Sequence, residues 1–523
     1  MLHLIDSIDL KNKTMKTFSI LLLLTVQISY GQNFNFEKAT ISSVGKDLRS
    51  GKISVEELTR LYLRRIDSLN PLVNAMLVIN PDAMALAKKA DKELKAGKDR
   101  GKMHGIPVIL KDNIDTHDKM PTTAGSRALA ESIALKDAFI VKKLRESGAI
   151  ILGKANLSEW ANFRSSKSSS GWSGLGLQTN NPYKLDCNPC GSSAGSGVAV
   201  SSDFCLLAIG TETNGSIVCP ANSNGVIGLK PTVGLLSRSG IIPISYSQDT
   251  PGPMTRNVTD AAIALGSMTG LDIKDSITQE SRGKSFTDYT QFLVKDGLKG
   301  KRLGIFQPPL GKMKEVDSVF FKAVDFMKSQ GAEVFEIPSI GSKETGRSSM
   351  EVMLYEFKDG LNKYFASLAQ SVKIKSIEDL FAFNASDKIE TGIFDQKLIE
   401  DAIKKGPISD KAYLEAKAKM HKEMREEGID KIMNDLKLDA FIAPTGSPAW
   451  KTDWQKGDTF HLGSSSPAAI AGYPNISVPM GFIGGLPVNI SFFGKAYSEP
   501  KLISIAFAYE QGTLHRKSPM FLK

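Results

Sequence analysis

The chain has 523 residues, of which 41% are hydrophobic, an ordinary content for a globular enzyme. The formal net charge of +10 comes from lysines scattered along predicted helices, without a basic cluster or interleaved aromatic residues, so we expect no nucleic-acid partner. No proline-rich, serine-rich or single-charge block divides the chain, and no internal repeat is visible. These features favour a single domain over residues 32–523.

The N-terminal segment has the pattern of a signal peptide. From Met15 a basic start is followed by the apolar stretch 18–26 and by small residues before Gln32. Because the apolar stretch is too short to span a bilayer comfortably, a retained anchor is the less favoured alternative. We predict a signal peptide over residues 1–31, a favoured start at Met15, a periplasmic or secreted location and no stable membrane insertion.

The first elements alternate helices with strands. Ser54 and Glu57 have the spacing of a capping box, and apolar residues follow at helical spacing. A helix is predicted over residues 82–96, an apolar strand over 105–113, a helix over 138–147 and a strand over 149–152. The G-x-x-x-x-G-K pattern of residues 148–154 is interpreted as a helix–strand junction, because alanine follows the lysine where a phosphate loop needs serine or threonine. We expect no cofactor.

Within residues 105–113 the apolar strand ends on Lys111, which is a candidate general base. A lysine at the end of a buried strand is costly unless it is paired or neutral, and a neutral lysine can accept a proton. Taken alone, this position more often holds a lysine that reaches solvent. The six histidines are weaker candidates, since none lies in a serine-rich turn.

Two serine-rich turns flank a short apolar strand. The first turn, 191–195, precedes small residues that favour a helix over 196–200 able to pack close to a neighbouring backbone. A strand predicted over 204–209 leads to the second turn, 210–216, whose residues tolerate positive φ and leave backbone amides free. A hydroxyl at Ser216 could attack a carbonyl whose oxyanion those amides stabilise. The predicted oxyanion hole consists of the backbone amides of Thr213, Asn214, Gly215 and Ser216.

Four cysteines, Cys187, Cys190, Cys205 and Cys219, could pair in an oxidising compartment. We favour unpaired thiols. Cys205 lies in the apolar strand and has the character of a small buried hydrophobic residue. The stretch 187–190 lacks the second cysteine pair or the histidines that zinc requires, so we expect no metal site.

The second half of the chain continues the alternation. Strands are predicted over 302–306, 333–337, 440–443, 476–479 and 488–492, and helices over 316–329 and 411–435. Such alternation favours an α/β fold with a largely parallel or mixed sheet. We expect the helical, charge-rich stretch 345–435 to cover the substrate entrance, and substrate specificity to be determined there and around residues 444–448.

Taken together, these residues resemble the amidase signature family. The family's pattern has a lysine at a strand end, then a glycine-serine-serine turn, and then a glycine-serine turn. In this chain Ser192 of the first turn and Ser216 of the second are 24 residues apart, the spacing that the family keeps between its two catalytic serines. The resemblance spans about 54–512 and implies one large mixed β-sheet between helical layers. It also implies a carboxamide hydrolase that works through an acyl-enzyme. In such an enzyme Ser216 is the nucleophile, Ser192 the bridging serine that follows a cis peptide bond, and Lys111 the base.

The sequence of residues 153–164, 171–173 and 241–245 is most similar to bacterial peptide amidases, so the expected substrate is a small-molecule or peptide amide. Many family members have aspartate, glycine and arginine where this chain has Glu212, Asn214 and Val218. The resemblance is therefore carried over for the serine–serine–lysine machinery and not for the substrate contacts of other branches. The individual amide, the oligomeric state, the pairing of the cysteines and the choice between Met1 and Met15 as the start are left open.

Three alternatives remain. An α/β-hydrolase-type esterase would use Ser193 as the elbow serine of a G-x-S-x-G motif, but residues 186–190 have the composition of a loop where that motif needs a strand. The amidotransferase component that forms glutaminyl-tRNA shares the signature, yet it is cytoplasmic and works in a complex. The third is a secreted binding protein with an inactive amidase fold.

Overall fold

A computed structural model of the protein describes residues 34–522. The predicted signal peptide, residues 1–31, lies outside the described residues. Within 34–522, no helix combines the length and the apolar composition needed to cross a membrane. The described chain is built around one large β-sheet, which carries the predicted site residues at its strand ends.

The sheet is mixed. In chain order the strands of residues 34–522 are β1 (Met76–Ile79), β2 (Pro107–Lys111), β3 (Ile150–Ala155), β4 (Trp172–Ser173), β5 (Leu177–Gln178), β6 (Leu207–Glu212), β7 (Ile227–Lys230), β8 (Thr250–Thr255), β9 (Arg302–Phe306), β10 (Glu333–Ile337), β11 (Ala440–Pro444), β12 (Asn475–Ile483) and β13 (Leu486–Phe493). Eleven form one sheet in the order β1-β3-β2-β6-β8-β7-β12-β13-β11-β9-β10, while β4 pairs with β5. Strand β2 is parallel to β3 and β6, β9 is parallel to β10 and β11, and the other neighbours are antiparallel. The predicted α/β class with a large mixed sheet is confirmed.

Helices separate most of the strands. The α-helices of the described chain are α1 (Ile41–Arg49), α2 (Val55–Val73), α3 (Ala83–Lys95), α4 (Phe139–Glu146), α5 (Ala194–Ser201), α6 (Val218–Ser223), α7 (Val258–Met268), α8 (Lys314–Ser329), α9 (Lys343–Ala366), α10 (Ile377–Ser386), α11 (Lys397–Ile403), α12 (Lys411–His421), α13 (Lys431–Asp435), α14 (Ser466–Ala471) and α15 (Glu499–Thr513). A π-helical stretch, Lys422–Asp430, joins α12 to α13, with backbone angles at Gly428 that are not helical. The helix predicted over 411–435 is therefore interrupted.

Strand β6 begins and ends later than predicted. The apolar run 204–209 suggested a strand that stops before Gly210, yet β6 spans Leu207–Glu212. Residues 210–212 are held in the sheet because they pair with Gly252, Pro251 and Thr250 of the antiparallel strand β8. Cross-strand pairing therefore overrides the turn-like local composition.

The strand pairing positions the predicted site residues. Strand β2 runs parallel to β6, with Leu110 opposite Ile209. Both strands end at the same edge of the sheet, so Lys111 and Thr211 emerge side by side. The crevice beyond the carboxyl ends of strands is where α/β sheets bind ligands.

The helices of the later part of the chain pack onto this edge. In Glu159–Asn162, Trp160, Ala161 and Asn162 have positive φ values of 50°, 53° and 70°. The ring of Trp160 packs edge-on against Phe365 of α9, with 6.1 Å between ring centroids. Helix α9 therefore packs against the segment that follows β3.

Candidate active site

Lys111 lies at the centre of a buried hydrogen-bond cluster. Its side chain is fully buried, and Nζ lies 2.7 Å from Ser192 Oγ, 2.8 Å from Thr211 Oγ1 and 3.2 Å from the Thr211 carbonyl oxygen. Asn113 Nδ2 donates to the same threonine hydroxyl at 3.0 Å. The structure therefore brings the predicted base into direct contact with the predicted bridging serine.

Burial lowers the pKa of Lys111 from 10.5 to about 7. The cause is desolvation, because an ammonium group loses its hydration at this position. The carboxylates of Asp249 and Glu212 act in the opposite direction and raise the lysine pKa. A substantial fraction of the Lys111 side chain is therefore neutral near pH 7, as a general base requires.

The first serine turn is tightly enclosed. Ser192 is fully buried, the Gly191–Ser192 peptide bond is cis, and the Ser192 carbonyl accepts a hydrogen bond from the Ser158 amide at 3.0 Å. In the helix that follows, a Cβ atom on Gly195 would lie 2.4 Å from the carbonyl oxygens of Ala75 and Asn156. The small residues of α5 thus permit the close backbone approach that the sequence predicts, and this packing fixes the turn.

Ser193, the elbow serine of the alternative α/β-hydrolase hypothesis, is hydrogen-bonded to the backbone of β6. Its hydroxyl donates to the Thr211 carbonyl at 3.0 Å and accepts from the Thr211 amide at 3.2 Å. The side chain is fully buried, and no strand of the described chain directly precedes Gly191. A serine held in this way connects the turn to the sheet and is poorly placed to attack a substrate.

Ser216 lies in the second turn, directly after β6. Its carbonyl accepts a hydrogen bond from the Ser193 amide at 3.1 Å, which joins the two turns. Its hydroxyl makes no hydrogen bond to a residue of 34–522, and the side chain is 8% exposed. The Ser216 hydroxyl is therefore free of protein partners in this part of the chain, and Ser192 Oγ bonds Lys111 and not Ser216.

The amides predicted to form the oxyanion hole are unoccupied by protein acceptors. No acceptor among residues 34–522 takes the N–H of Thr213, Asn214, Gly215 or Ser216. Gly215 has a φ of +87°, a conformation that glycine adopts without steric cost. The turn is anchored by the Asn214 side chain, which accepts from Ser465 Oγ at 2.7 Å. These free amides can stabilise a negatively charged oxygen.

Glu212, one of the departures from the common family pattern, bonds the backbone that follows Ser216. Its Oε2 accepts hydrogen bonds from the amides of Ile217 at 2.8 Å and Val218 at 3.0 Å. A carboxylate at the start of a helix satisfies amides that have no partner within the helix. Glu212 thereby ties the end of β6 to the start of α6, on either side of Ser216.

The preference for unpaired cysteines is wrong for one pair. Cys190 and Cys219 form a disulfide bond with their Cα atoms 5.9 Å apart, whereas Cys187 and Cys205 are free and buried. The fold brings the two turns together, so residues 29 positions apart in the sequence become neighbours. The disulfide joins a residue two positions before Ser192 to one three positions after Ser216.

Two cavities border the second turn. The first, which we call the Tyr364 cavity, has a volume of about 390 Å³ and is lined in part by Thr211, Thr213, Asp249 and Tyr364. Helix α9 contributes to it, as expected if part of the stretch 345–435 covers the entrance. None of the histidines among the described residues lines either cavity.

The second cavity, which we call the disulfide cavity, has a volume of about 340 Å³. Its wall contains the Cys190–Cys219 disulfide, Gly191 and Gly215, and therefore parts of both serine turns. Thr445, from the stretch 444–448 predicted to influence specificity, also lines it. The Tyr364 cavity therefore borders the second turn at Thr213, and the disulfide cavity borders it at Asn214 and Gly215.

The sequence did not single out Thr211 or Asp249 as site residues. Thr211 bridges Lys111 to Asn113, and it was assigned to a turn because its partner strand is distant in sequence. Asp249 accepts hydrogen bonds from Thr213 Oγ1 at 2.6 Å and from the Ile244 amide at 2.7 Å, and burial raises its pKa to about 6. No local sequence signal marks Asp249, since its role depends on tertiary proximity.

Comparisons with known proteins agree with this geometry. The profile of the amidase family matches residues 57–503. The crystal structure of native peptide amidase from Stenotrophomonas maltophilia superposes with a TM-score of 0.89 and 45% identity, covering 93% of this chain and 99% of that one. A probable amidase of Arabidopsis thaliana is 42% identical over 95% of this chain and 94% of its own length.

A relative of lower identity is named for a different function. A component of the glutamyl-tRNA(Gln) amidotransferase of Thermoanaerobacter pseudethanolicus is 33% identical over 92% of this chain and 97% of its own length. The family match and the high coverage of both chains, together with the lysine and serine arrangement at the sheet edge, lead to one conclusion. The chain belongs to the amidase family and is an amide-hydrolysing enzyme.

Proposed function

We propose that this enzyme hydrolyses the C-terminal carboxamide of peptides to a carboxylate and ammonia, with Ser216 as nucleophile, Ser192 as proton relay and Lys111 as base. The observation that carries the mechanism is the 2.7 Å contact between Ser192 Oγ and a lysine whose pKa is lowered to about 7. The substrate class is supported by the 45% identity to a peptide amidase.

In the first half-reaction the Ser216 hydroxyl attacks the amide carbon. Its proton passes to Ser192, and the Ser192 proton passes to neutral Lys111, so each hydroxyl gives up and regains one proton over the cycle. The carbonyl oxygen becomes an oxyanion bound by the free amides of the turn 213–216. Collapse of this intermediate breaks the C–N bond, and the leaving nitrogen takes the proton back from Lys111 through Ser192.

The second half-reaction regenerates the enzyme. Water attacks the Ser216 acyl ester, and its proton follows the same relay toward Lys111. The oxyanion forms again in the same amides, and the C–O bond to Ser216 then breaks. The Ser216 oxygen recovers its proton through Ser192, and the acyl group leaves as the carboxylic acid, which loses its remaining proton to solvent and becomes the carboxylate.

A panel of amides tests the substrate class. Purified enzyme should release ammonia from dipeptide and tripeptide C-terminal amides with a higher kcat/KM than from acetamide, benzamide or an arylamide. Ammonia and the new carboxylate should appear in equal amounts. A preference for simple aliphatic or aryl amides over every peptide amide would overturn the peptide-amide assignment while leaving the amidase activity intact.

We also propose that the mature enzyme works outside the cytoplasm. The leader-like pattern from Met15 to Gly31 supports export. The Cys190–Cys219 disulfide supports an oxidising compartment, because such bonds are rare where glutathione and thioredoxin keep thiols reduced.

The amidotransferase relatives suggest a second candidate function, the release of ammonia from glutamine for a partner protein. The 33% identity to one component of such an enzyme is the observation in its favour. Glutamine should be a poor substrate for the isolated chain under our proposal. Glutamine turnover faster than that of every peptide amide would support the second candidate.

A further inference from the structure

The disulfide cavity contains one charged side chain. Among the described residues that line it, Asp458 is ionisable and every other side chain is neutral at pH 7. Asp458 lies in the loop between β11 and α14, distant in sequence from both serine turns. A carboxylate that faces a neutral cavity requires a source of compensation, because a partly buried charge is otherwise unfavourable.

Protein donors compensate Asp458 only in part. Its carboxylate accepts from the Ser170 amide at 3.0 Å and the Ser170 hydroxyl at 2.5 Å, and from Asn188 Nδ2 at 3.4 Å. No lysine, arginine or histidine of residues 34–522 forms an ion pair with it. These donors are all neutral, so the negative charge of Asp458 has no cationic partner in this part of the chain. Burial raises the pKa of this carboxyl above its ordinary value.

Aromatic rings form another part of the wall. Trp450 and Phe460 line the cavity with Asp458, and their rings pack edge to face with centroids 5.9 Å apart. A carboxylate combined with aromatic surfaces is an environment that attracts ammonium and guanidinium groups. The neutral remainder of the wall has no basic residue that would repel such a cation.

The cavity also borders the turn that carries Ser216. Gly215 and Val218 both line it, and they lie on either side of Ser216 in the sequence. A substrate whose carbonyl occupies the amides of the turn 213–216 therefore has this cavity beside it. A group carried by the acyl part of the substrate could extend from the carbonyl toward Asp458.

We propose that the disulfide cavity binds a positively charged group on the acyl part of the substrate, with Asp458 as its counter-ion. This inference rests on the proposed function and narrows it, because it selects carboxamides with a cationic acyl part. The cation is either a lysine- or arginine-type side chain or the free α-ammonium group of an amino acid amide. Both present the same charge, and the substrates below distinguish them.

The test compares matched substrates. N-acetyl-lysinamide and N-acetyl-norleucinamide differ by the side-chain ammonium, while norleucinamide adds a free α-ammonium to the neutral side chain. The wild-type enzyme should prefer at least one cationic substrate to N-acetyl-norleucinamide by about 10- to 100-fold in kcat/KM, the range of a hydrogen bond to a charged group. A preference for N-acetyl-lysinamide identifies a side-chain cation as the group that binds, and a preference for norleucinamide identifies the free α-ammonium group.

The variant Asp458→Asn keeps an acceptor oxygen for Ser170 and removes the charge. Its ratio of kcat/KM between the cationic and neutral substrates should fall toward 1. The matched control is Asp453→Asn, in the same loop but outside the cavity wall, and this variant should keep the wild-type ratio. An equal loss for both substrates would show that Asp458 only anchors the loop to Ser170, and would overturn the proposal.

A binding measurement separates this inference from the reaction. Calorimetric titration of the Ser216→Ala variant with the same three amides reports affinity without turnover. Tighter binding of a cationic amide, lost in Ser216→Ala/Asp458→Asn, supports the cavity assignment even if the enzyme hydrolyses none of them. Equal affinity for the cationic and neutral amides overturns the inference and leaves the proposed hydrolysis of peptide amides unaffected.

Discussion

Lys111 and Ser192, both fully buried, are joined by a hydrogen bond of 2.7 Å between the lysine Nζ and the serine Oγ. The other two contacts of Nζ are to the hydroxyl and carbonyl of Thr211, at 2.8 and 3.2 Å. A protonated amine can donate to all three oxygens. A neutral amine can accept the Ser192 proton while it donates to Thr211. The same geometry therefore serves both protonation states, as a relay requires.

The first prediction concerns the pH dependence that Lys111 gives to the reaction. Its pKa is lowered to about 7, and the base must be unprotonated, so kcat/KM should rise with pH through about 7 and level off above it. Lys111→Met should lose about 10²- to 10⁴-fold in kcat/KM, the usual contribution of a general base. Lys111→Arg should not recover it, because a guanidinium stays protonated. The measurement is kcat/KM for one peptide amide between pH 5 and 9.

Lys230 provides the matched control for that prediction. It is equally buried at the end of β7, and burial lowers its pKa to about 8. Among residues 34–522, however, its Nζ bonds only the carbonyls of Tyr473 and Pro231. In Lys230→Met, kcat/KM should still rise with pH, and over the same pH range as in the wild type. A similar profile in Lys111→Met, or full activity in Lys111→Arg, would assign Lys111 a structural role and place the base elsewhere.

The second prediction concerns Asp249, whose negative charge raises the pKa of Lys111. Asp249→Asn keeps an acceptor for Thr213 and removes that charge, so the lysine pKa should fall and the rise of kcat/KM should move to lower pH. Asp260→Asn is the control, because Asp260 is a buried aspartate with a pKa of about 6 that does not act on Lys111. A shift to higher pH in Asp249→Asn, or an equal shift in both variants, would contradict the electrostatic coupling.

Elements with a clear local pattern were predicted well from the sequence. Strands β9 and β10 have the predicted limits, and Lys111 ends its strand as predicted. Apolar runs bounded by polar residues and glycine define such strands without tertiary information. The end of β6 was misjudged, because Thr211 and Glu212 have the local character of a turn and are held as a strand by β8.

The remaining errors come from contacts between distant segments. The Cys190–Cys219 bond forms because the two serine turns meet, which their separation of 29 positions does not reveal. Asp249 acts on Lys111 from a loop more than a hundred residues later in the chain. Asp458 likewise comes to line the same cavity as the disulfide only in the folded protein. Residue type and spacing therefore singled out the candidate reacting groups, while their electrostatic partners depend on the fold.

The third prediction distinguishes Ser216 from Ser193 as the nucleophile. Ser216→Ala should reduce hydrolysis to background, whereas Ser193→Ala should keep substantial turnover, because Ser193 contacts the backbone of Thr211 and not Lys111. A fluorophosphonate probe should label Ser216 in the wild-type enzyme, as shown by mass spectrometry of the labelled peptide. Label on Ser193, or loss of activity in Ser193→Ala while that variant unfolds at the wild-type temperature, would contradict this assignment.

The fourth prediction concerns export. The full-length chain expressed with its native N-terminus should be recovered outside the cytoplasm, with a mature sequence that begins at or near Gln32. A chain that starts at Met15 should be exported as well as one that starts at Met1. The measurement is N-terminal sequencing of the periplasmic or secreted fraction. Material outside the cytoplasm that still contains Phe18 would favour a retained anchor instead.

The last prediction concerns the Cys190–Cys219 disulfide, which closes a loop with a separation of 29 residues. Constraining the unfolded chain over such a loop contributes about 3–4 kcal/mol in the chain-entropy description. The double variant Cys190→Ala/Cys219→Ala should therefore unfold at a lower guanidinium chloride concentration than the wild type. Its kcat/KM should also fall, because the bond joins the Ser192 and Ser216 turns and lines the disulfide cavity.

Reductant and a second cysteine variant complete this test. Dithiothreitol should lower the unfolding midpoint of the wild type and leave the midpoint of the double variant in place, since no bond remains to be reduced. Cys187→Ala is the matched control, because Cys187 is buried and free, and this variant should keep the response to reductant. Thiol titration of the unfolded oxidised chain should detect two free cysteines in the described part, Cys187 and Cys205. Four reactive thiols in protein purified without reductant, or a midpoint that reductant does not change, would show that the bond does not form.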